Sequence, residues 1–256
     1  MTVQLRELAP YEDNRGNRVE YEGPPVADVV IKFGGQNNRL VVAADARLMA
    51  LSIDFDCNEG VAEIGGSSGP RFAAAIRVGE QATVRIGRNV SATTKVAMSA
   101  AEGTSIAVGD DVMFASDVQV RCDDGHPIFD VSTGRRVNVS RSITIGPHVW
   151  LGLRSAVLGG VTIGPGTVVG LGSIVTKNLP NNVIAAGTPA KIVRRDIAWE
   201  RPHLTLTKPY FKPDSSTVTV SKRYWKLTAG ERPAPPPPRR TTRARNWLRR
   251  LRARLR

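Results

Sequence analysis

Between Ile145 and Ala190 the apolar positions of the chain recur every six residues. An aliphatic side chain stands at Ile145, Leu151, Val157, Ile163, Val169 and Val175, and a small residue follows it at Gly146, Gly152, Gly164 and Gly170. Leu158 and Thr176 break the second rule, and a further slot, four residues after each aliphatic one, holds Val149, Ser155, Val161, Thr167, Ser173 and Leu179. This is neither the 3.6-residue period of a helix nor the alternation of a half-buried strand. Six is the period of a solenoid in which each unit is a short strand and a corner. One unit makes one side of a triangular prism and three complete a coil. Each aliphatic side chain then points inward and stacks on its counterpart one coil away, about 4.8 Å along the axis. Glycine is expected at the corners because it tolerates positive φ and adds no side chain where the backbone turns. A sandwich of short strands would show two-residue alternation with irregular turn spacing. The pattern predicts an all-β fold, a parallel β-helix.

The frame extends upstream. It recurs at Ile86 with Gly87, Ala92 and Met98, slips by four residues, and resumes at Val108 with Gly109, Phe114 with Ala115, and Val120. From Val120 to Ile145 there are 25 positions, one more than four units of six. The polar, turn-rich stretch 121–144 is therefore predicted to leave the prism as a loop, and loops on rigid scaffolds are where chemistry sits. Residues 1–28 read as a lead-in and 29–195 as the prism, with degenerate first coils after Val29 and with Asn37, Asn38, Asn58 and the Gly65 to Gly69 cluster at corners. Pro202, Pro209 and Pro213 disfavour a long helix in 196–232, which is predicted to wrap back along the prism. Residues 233–238 form a polyproline II spacer.

Composition fits this picture: 24 glycines and 5% aromatics in 256 residues suit a turn-rich β fold. Cys57 and Cys122 have neither metal-like nor CxxC spacing and read as free thiols of a reducing compartment. The net charge of +13 is concentrated at one end, where Arg239 to Arg256 hold nine arginines and no acid, so the rest carries only +4. A nucleic-acid-binding face is not expected of so mildly basic a body. The start of the chain does not read as a signal peptide and no stretch reads as a membrane span, so a cytoplasmic protein is expected. Trp247, Leu248, Leu251 and Leu255 form one helical stripe among the arginines of 239–256, the pattern of a helix lying on an anionic membrane surface, which would make the protein peripheral at the inner membrane face.

Four motifs carry a resemblance. The loop GHPIFD (Gly125 to Asp130), then ITIGPHVWLG, GVTIGPGTVVGLGSIVTKNLP and AAGTPAKIVR, resembles the left-handed β-helix, hexapeptide-repeat O-acetyltransferases. It is similar to galactoside and maltose acetyltransferases and, in the loop, to capsule polysaccharide (sialic acid) O-acetyltransferases. The resemblance is tightest over 106–195, and 196–256 lie outside it. It implies a left-handed prism with a protruding catalytic loop and a C-terminal extension, acetyl-CoA as co-substrate, a carbohydrate acceptor and a homotrimer.

His126 is the candidate general base, since imidazole, with an ordinary pKa of about 6.5, is suited to accept the proton of an attacking hydroxyl. Asp117, Asp123, Asp124 and Asp130 are candidates to orient it. Asp117 is placed first, being on the rigid coil before the loop and matching an SD pair common in similar sequences. Trp150, in an outward slot, is a candidate platform for a sugar ring or a pantetheine arm, and the resemblance places it in the active site. By the same resemblance Gly152, Leu153, Leu171, Thr176 and Lys177 line the coenzyme A groove, and Lys191 and Arg194 meet its phosphoadenosine end, Lys191 standing where relatives often have arginine. The Gly152 N–H is a candidate oxyanion donor. His148 and His203 read as surface residues, and no metal site is expected from three unpaired histidines. No serine or cysteine stands in a nucleophile context, so direct transfer is expected. A sugar-nucleotide N-acyltransferase and a non-catalytic, membrane-tethered β-helix scaffold are the alternative readings.

Overall fold

The computed structural model of the chain describes residues 2–230. It contains strands and turns and, among the described residues, no helix. The strands form a left-handed parallel β-helix with three faces. The first face runs through seven parallel strands, Val26–Phe33, Leu48–Phe55, Phe72–Val78, Val96–Ala100, Gln119–Arg121, Ala156–Leu158 and Ile174–Val175. The second runs from Arg18–Glu20 through Arg39–Val42, Val61–Ile64, Thr83–Ile86, Ser105–Val108 and Ile143–Ile145 to Thr162–Ile163. The third collects Ser91–Ala92, Met113–Phe114, Trp150–Leu151, Val168–Val169 and Val183–Ala186.

The six-residue frame is the core. Ile145, Leu151, Val157, Ile163, Val169 and Val175 are all buried, and so are Val149, Ser155, Val161, Thr167, Ser173 and Leu179. Full burial of one such aliphatic side chain contributes about 1.5–3 kcal/mol, repeated on each face of each coil. The small residue after it is required by close backbone approach, since these glycines do not have positive φ. Gly65, Gly87, Gly109, Gly146 and Gly164 stack in a column along the edge between the second and third faces, and a Cβ on Gly109 would lie 2.6 Å from the Pro147 nitrogen of the next coil. Positive φ falls two residues later instead, as at His148, Arg154 and Gly166. Leu158 and Thr176, which break the small-residue rule, both lie on the edge between the first and second faces.

The coils are not all one size. Arg39, Val61, Thr83 and Ser105 stand opposite one another in turn, a repeat of 22 residues. Ile145 faces Ile163, and Trp150 faces Val168, a repeat of 18. Each end is closed by an antiparallel strand, Val3–Leu8 against Val26–Phe33 at one end and Lys191–Arg195 against Val183–Ala186 at the other. Residues 196–230 fold back against the prism without regular structure.

Candidate active site

At the edge between the first and second faces the chain leaves the prism after Arg121 and returns at Ile143. The neck is closed by Cys122 N–H to Ser99 O (2.9 Å) and Arg141 N–H to Cys122 O (3.1 Å). The excursion is a hairpin. Val137 N–H donates to Ile128 O at 2.8 Å, Phe129 and Arg136 form an antiparallel bridge, and Asp130 caps the tip through Ser132 and Thr133. Hydrogen bonds from Ser132 and Thr133 hold the Asp130 carboxyl at about 2.

His126 sits on the first arm, its side chain exposed and, among the described residues, free of hydrogen bonds. Its backbone is fixed. Asn138 on the opposite arm donates through Nδ2 to His126 O (2.8 Å) and to Asp124 Oδ2 (2.9 Å), and accepts from Ile128 N–H (2.7 Å). Just before it, the buried Asp123 carboxylate accepts from Ser99 Oγ (2.6 Å) and Gly125 N–H (3.0 Å) and lies 3.4 Å from Arg77. The second arm is tied down by Arg136, which grips both oxygens of Glu102, and by Ser140, which donates to the same carboxylate. Arg136 first, then Ser140, hold the Glu102 carboxyl at about 2, so this clamp stays ionised through any working pH. Arg136→Ala is expected to speed proteolysis within 126–138 and to lower kcat, by as much as about 10²-fold where misplacement reaches 1 Å. The thermal midpoint should barely move, since the buried core is untouched.

Of the four candidate carboxylates, none bonds to the His126 side chain. Asp123 holds the loop backbone at Gly125, Asp124 accepts from the Asn138 side chain, and Asp130 caps the tip. Asp117 lies on the edge between the third and first faces, exposed, with Arg154 at 3.7 Å. A full face of the prism separates it from His126, and the two do not touch. Asn138, Arg136, Glu102 and Ser99 were not singled out in the sequence, because they meet across 10 to 38 positions with no motif to mark them.

Trp150 is 38% exposed on the third face, on a different side of the same prism from His126. The residues of the expected coenzyme groove divide between two edges. Leu153 and Leu171 stack on successive coils of the third–first edge, where Gly172 N–H donates to Leu153 O at 2.8 Å, and Leu171 is 72% exposed. Thr176 and Lys177 stand exposed on the first–second edge, two coils beyond the hairpin. Lys191 and Arg194 are exposed on the closing strand. Gly152 stands where a Cβ would meet Val169 O at 2.7 Å. Its N–H donates to Val169 O at 2.8 Å and so is not available to an oxyanion, which corrects the role expected of it.

His148 also departs from expectation. It is 1% exposed, because the outward direction at its corner faces the returning C-terminal segment. Its ring is stacked between Trp199 (centroids 4.0 Å) and Tyr224 (4.3 Å), Nδ1 lies 2.5 Å from Asp111 and Nε2 2.9 Å from Trp199 O. Arg201 bonds the other Asp111 oxygen and reaches Ser91 Oγ, Asn89 O and Val112 O. Burial pushes the Asp111 carboxyl up, but the bonds from His148 and Arg201 outweigh it and hold it below its ordinary value. His203 is exposed, its Nδ1 within 2.8 Å of Thr205 Oγ1. Among the described residues no cluster of His, Cys, Asp and Glu is arranged to hold a metal ion, and no helix is long and apolar enough to cross a membrane.

The left-handed β-helix defines a class of fold, and similarity to known proteins narrows it to a family. No protein-family model matches the chain. It is 50% identical over 97 residues to the polysialic acid O-acetyltransferase of Escherichia coli O1:K1, a match covering 38% of this chain and 32% of that one. It is 32% identical over 166 residues to the polysialic acid O-acetyltransferase of Neisseria meningitidis, covering 64% and 73%. The crystal structure of a polySia-specific acetyltransferase superposes with a TM-score of 0.67 at 31% identity, over 74% of this chain and 88% of that one. The chain belongs to the left-handed β-helix, hexapeptide-repeat O-acetyltransferases.

Proposed function

We propose that the protein transfers the acetyl group of acetyl-CoA directly to a sugar hydroxyl of a cell-envelope or capsular glycan or its precursor. The observation that carries this reading is the exposed His126 imidazole on a hairpin whose backbone is fixed at Asp123, Asn138 and Glu102. The acceptor hydroxyl gives its proton to His126 as its oxygen attacks the thioester carbonyl. The tetrahedral intermediate then collapses, the carbon–sulfur bond breaks, and the thiolate leaves with a proton returned from the imidazolium. The similarity to enzymes named for polysialic acid supports a glycan acceptor.

His126 and Trp150 lie on different sides of one prism, so a site containing both needs a second copy of the chain. A trimer, in which the hairpin edge of one prism faces the third face of the next, satisfies this. It also sets Thr176 and Lys177 of one copy facing the other copy's groove for the pantetheine arm, with Gly152, Leu153 and Leu171 lining it and Lys191 and Arg194 at the phosphates. Exposed Ile128, Phe129, Val131, Val137 and Val139 give the hairpin an apolar surface suited to such a contact. Light scattering is expected to give three times the chain mass, and a monomer with full activity sinks the shared site. Asp117 has its place in this reading only if the neighbouring copy brings it to the imidazole.

The reaction is tested by free-thiol release from acetyl-CoA with a panel of glycans. Release with hydroxyl acceptors is expected, and strict dependence on an amine shifts the assignment to N-acyl transfer. No turnover and no coenzyme binding favours the scaffold. The basic stripe of 239–256 and the spacer of 233–238 lie outside the described residues.

A further inference from the structure

The C-terminal segment does more than cover His148. Trp199, mostly buried, lies 5.9 Å from Trp150 with the rings tilted by 49°. Trp199 also lines a pocket of about 300 Å³, together with Trp225, Pro202 and the polar residues Glu200, Lys212, Asp214 and Ser215. That volume is at the small end of ligand pockets, which run to about 300–1,000 Å³. Trp225 is 39% exposed, and its indole is locked by Nε1–H donating to Glu200 Oε1 at 2.7 Å. Glu200 is fully engaged, since Ser221 N–H and Oγ occupy its two oxygens. The other three polar residues are not. Asp214 uses only Oδ1, for Ser216, and the Ser215 hydroxyl bonds to nothing among the described residues. Lys212 reaches only Thr207 O, at 3.4 Å.

An accessible, fixed indole at Trp225 beside hydroxyl, carboxylate and ammonium groups with spare hydrogen-bonding capacity is the chemistry that binds a pyranose ring, apolar on its faces and hydroxyl-lined at its edge. Two carboxylates against one ammonium make the pocket unfavourable for an anionic sugar. We propose that this pocket is an acceptor subsite for a neutral sugar unit of the same glycan chain whose neighbouring unit stacks on Trp150. The C-terminal segment then sets acceptor specificity. This rests on the acetyl-transfer reading, and the test separates the two.

The full-length protein is titrated with a neutral hexose oligosaccharide series and, in parallel, with oligosialic acid, reading tryptophan fluorescence without acetyl-CoA and thiol release with it. Neutral oligomers are expected to bind more tightly than the monosaccharide and than oligosialic acid. Trp225→Ala should raise KM for the oligomers about threefold to tenfold, the worth of one aromatic contact, with kcat and monosaccharide turnover unchanged. Trp225→Phe should recover most of the loss, which a folding defect would not. Oligomer binding without turnover keeps the subsite and removes the transferase reading. Turnover with the same KM in wild type and Trp225→Ala overturns the subsite, as does preference for the anionic oligomer. Trp225→Ala that alters only the protease sensitivity of the chain after Gly230 overturns it in favour of an internal occupant.

Discussion

Replacing His126 by alanine is expected to lower kcat by about 10²- to 10⁴-fold, the usual worth of a positioned general base. The thermal midpoint and the circular dichroism spectrum should not change. The side chain is exposed and, among the described residues, makes no hydrogen bond, and it is the His126 carbonyl, retained in the variant, that Asn138 holds. Affinity for coenzyme A should survive as well, because the residues proposed for its groove lie elsewhere. Thiol release under saturating acetyl-CoA, measured beside direct coenzyme titration, separates the chemical step from binding. Turnover within about tenfold of wild type would remove His126 from the mechanism.

Asp111→Ala is the second large effect, and it falls on stability. The carboxylate pairs with the Arg201 guanidinium and hydrogen-bonds the His148 ring, and its removal leaves Arg201 without its counter-charge and the ring without that partner. Removing one member of a buried pair costs about 3–5 kcal/mol. The low end of that range applies here, because the Asp111 side chain is 26% exposed. The loss should appear as detachment of residues 196–230, read by limited proteolysis, before the prism melts. The pH dependence has a definite sign. A carboxyl held below its unfolded value contributes stability that is complete above about 4 and is lost as pH falls through the lower folded value. The C-terminal segment should therefore stay docked at neutral pH and release in acid, and the Asp111→Ala protein should lose that acid dependence.

The prism was legible because its repeat is a direct consequence of geometry. Where a coil is 18 residues, each face receives six and the inward positions fall on a fixed beat, so the inward series from Ile145 to Val175 was legible. The N-terminal coils of 22 residues carry longer first-face strands, such as Leu48–Phe55, and the same beat dissolves there. The edge where the hairpin departs was visible as a break in phase after Val120. Its internal bracing was not, because Asn138, Glu102 and Arg136 are ordinary polar residues until the fold brings them together. His148 was misread for a related reason. A six-residue frame tells which way a side chain points, inward or outward, but outward means solvent only if nothing returns to cover it. Tyr224 and Trp199, far along the chain, decide that.

The two closing strands have a consequence for how copies of the molecule meet end to end. A parallel coil presents unpaired N–H and C=O groups at its last turn, a template on which another prism could continue the stack as a filament. At the start, Val3–Leu8 runs against the direction of the coils and removes that register from the first face. At the finish, Lys191–Arg195 does the same for the third face and adds the positive charge of Lys191, Arg194 and Arg195 to the rim. Successive prisms would therefore meet with mismatched ladders on both sides of the junction. The strand proposed to receive coenzyme phosphates is thus also the one that ends the ladder of the third face.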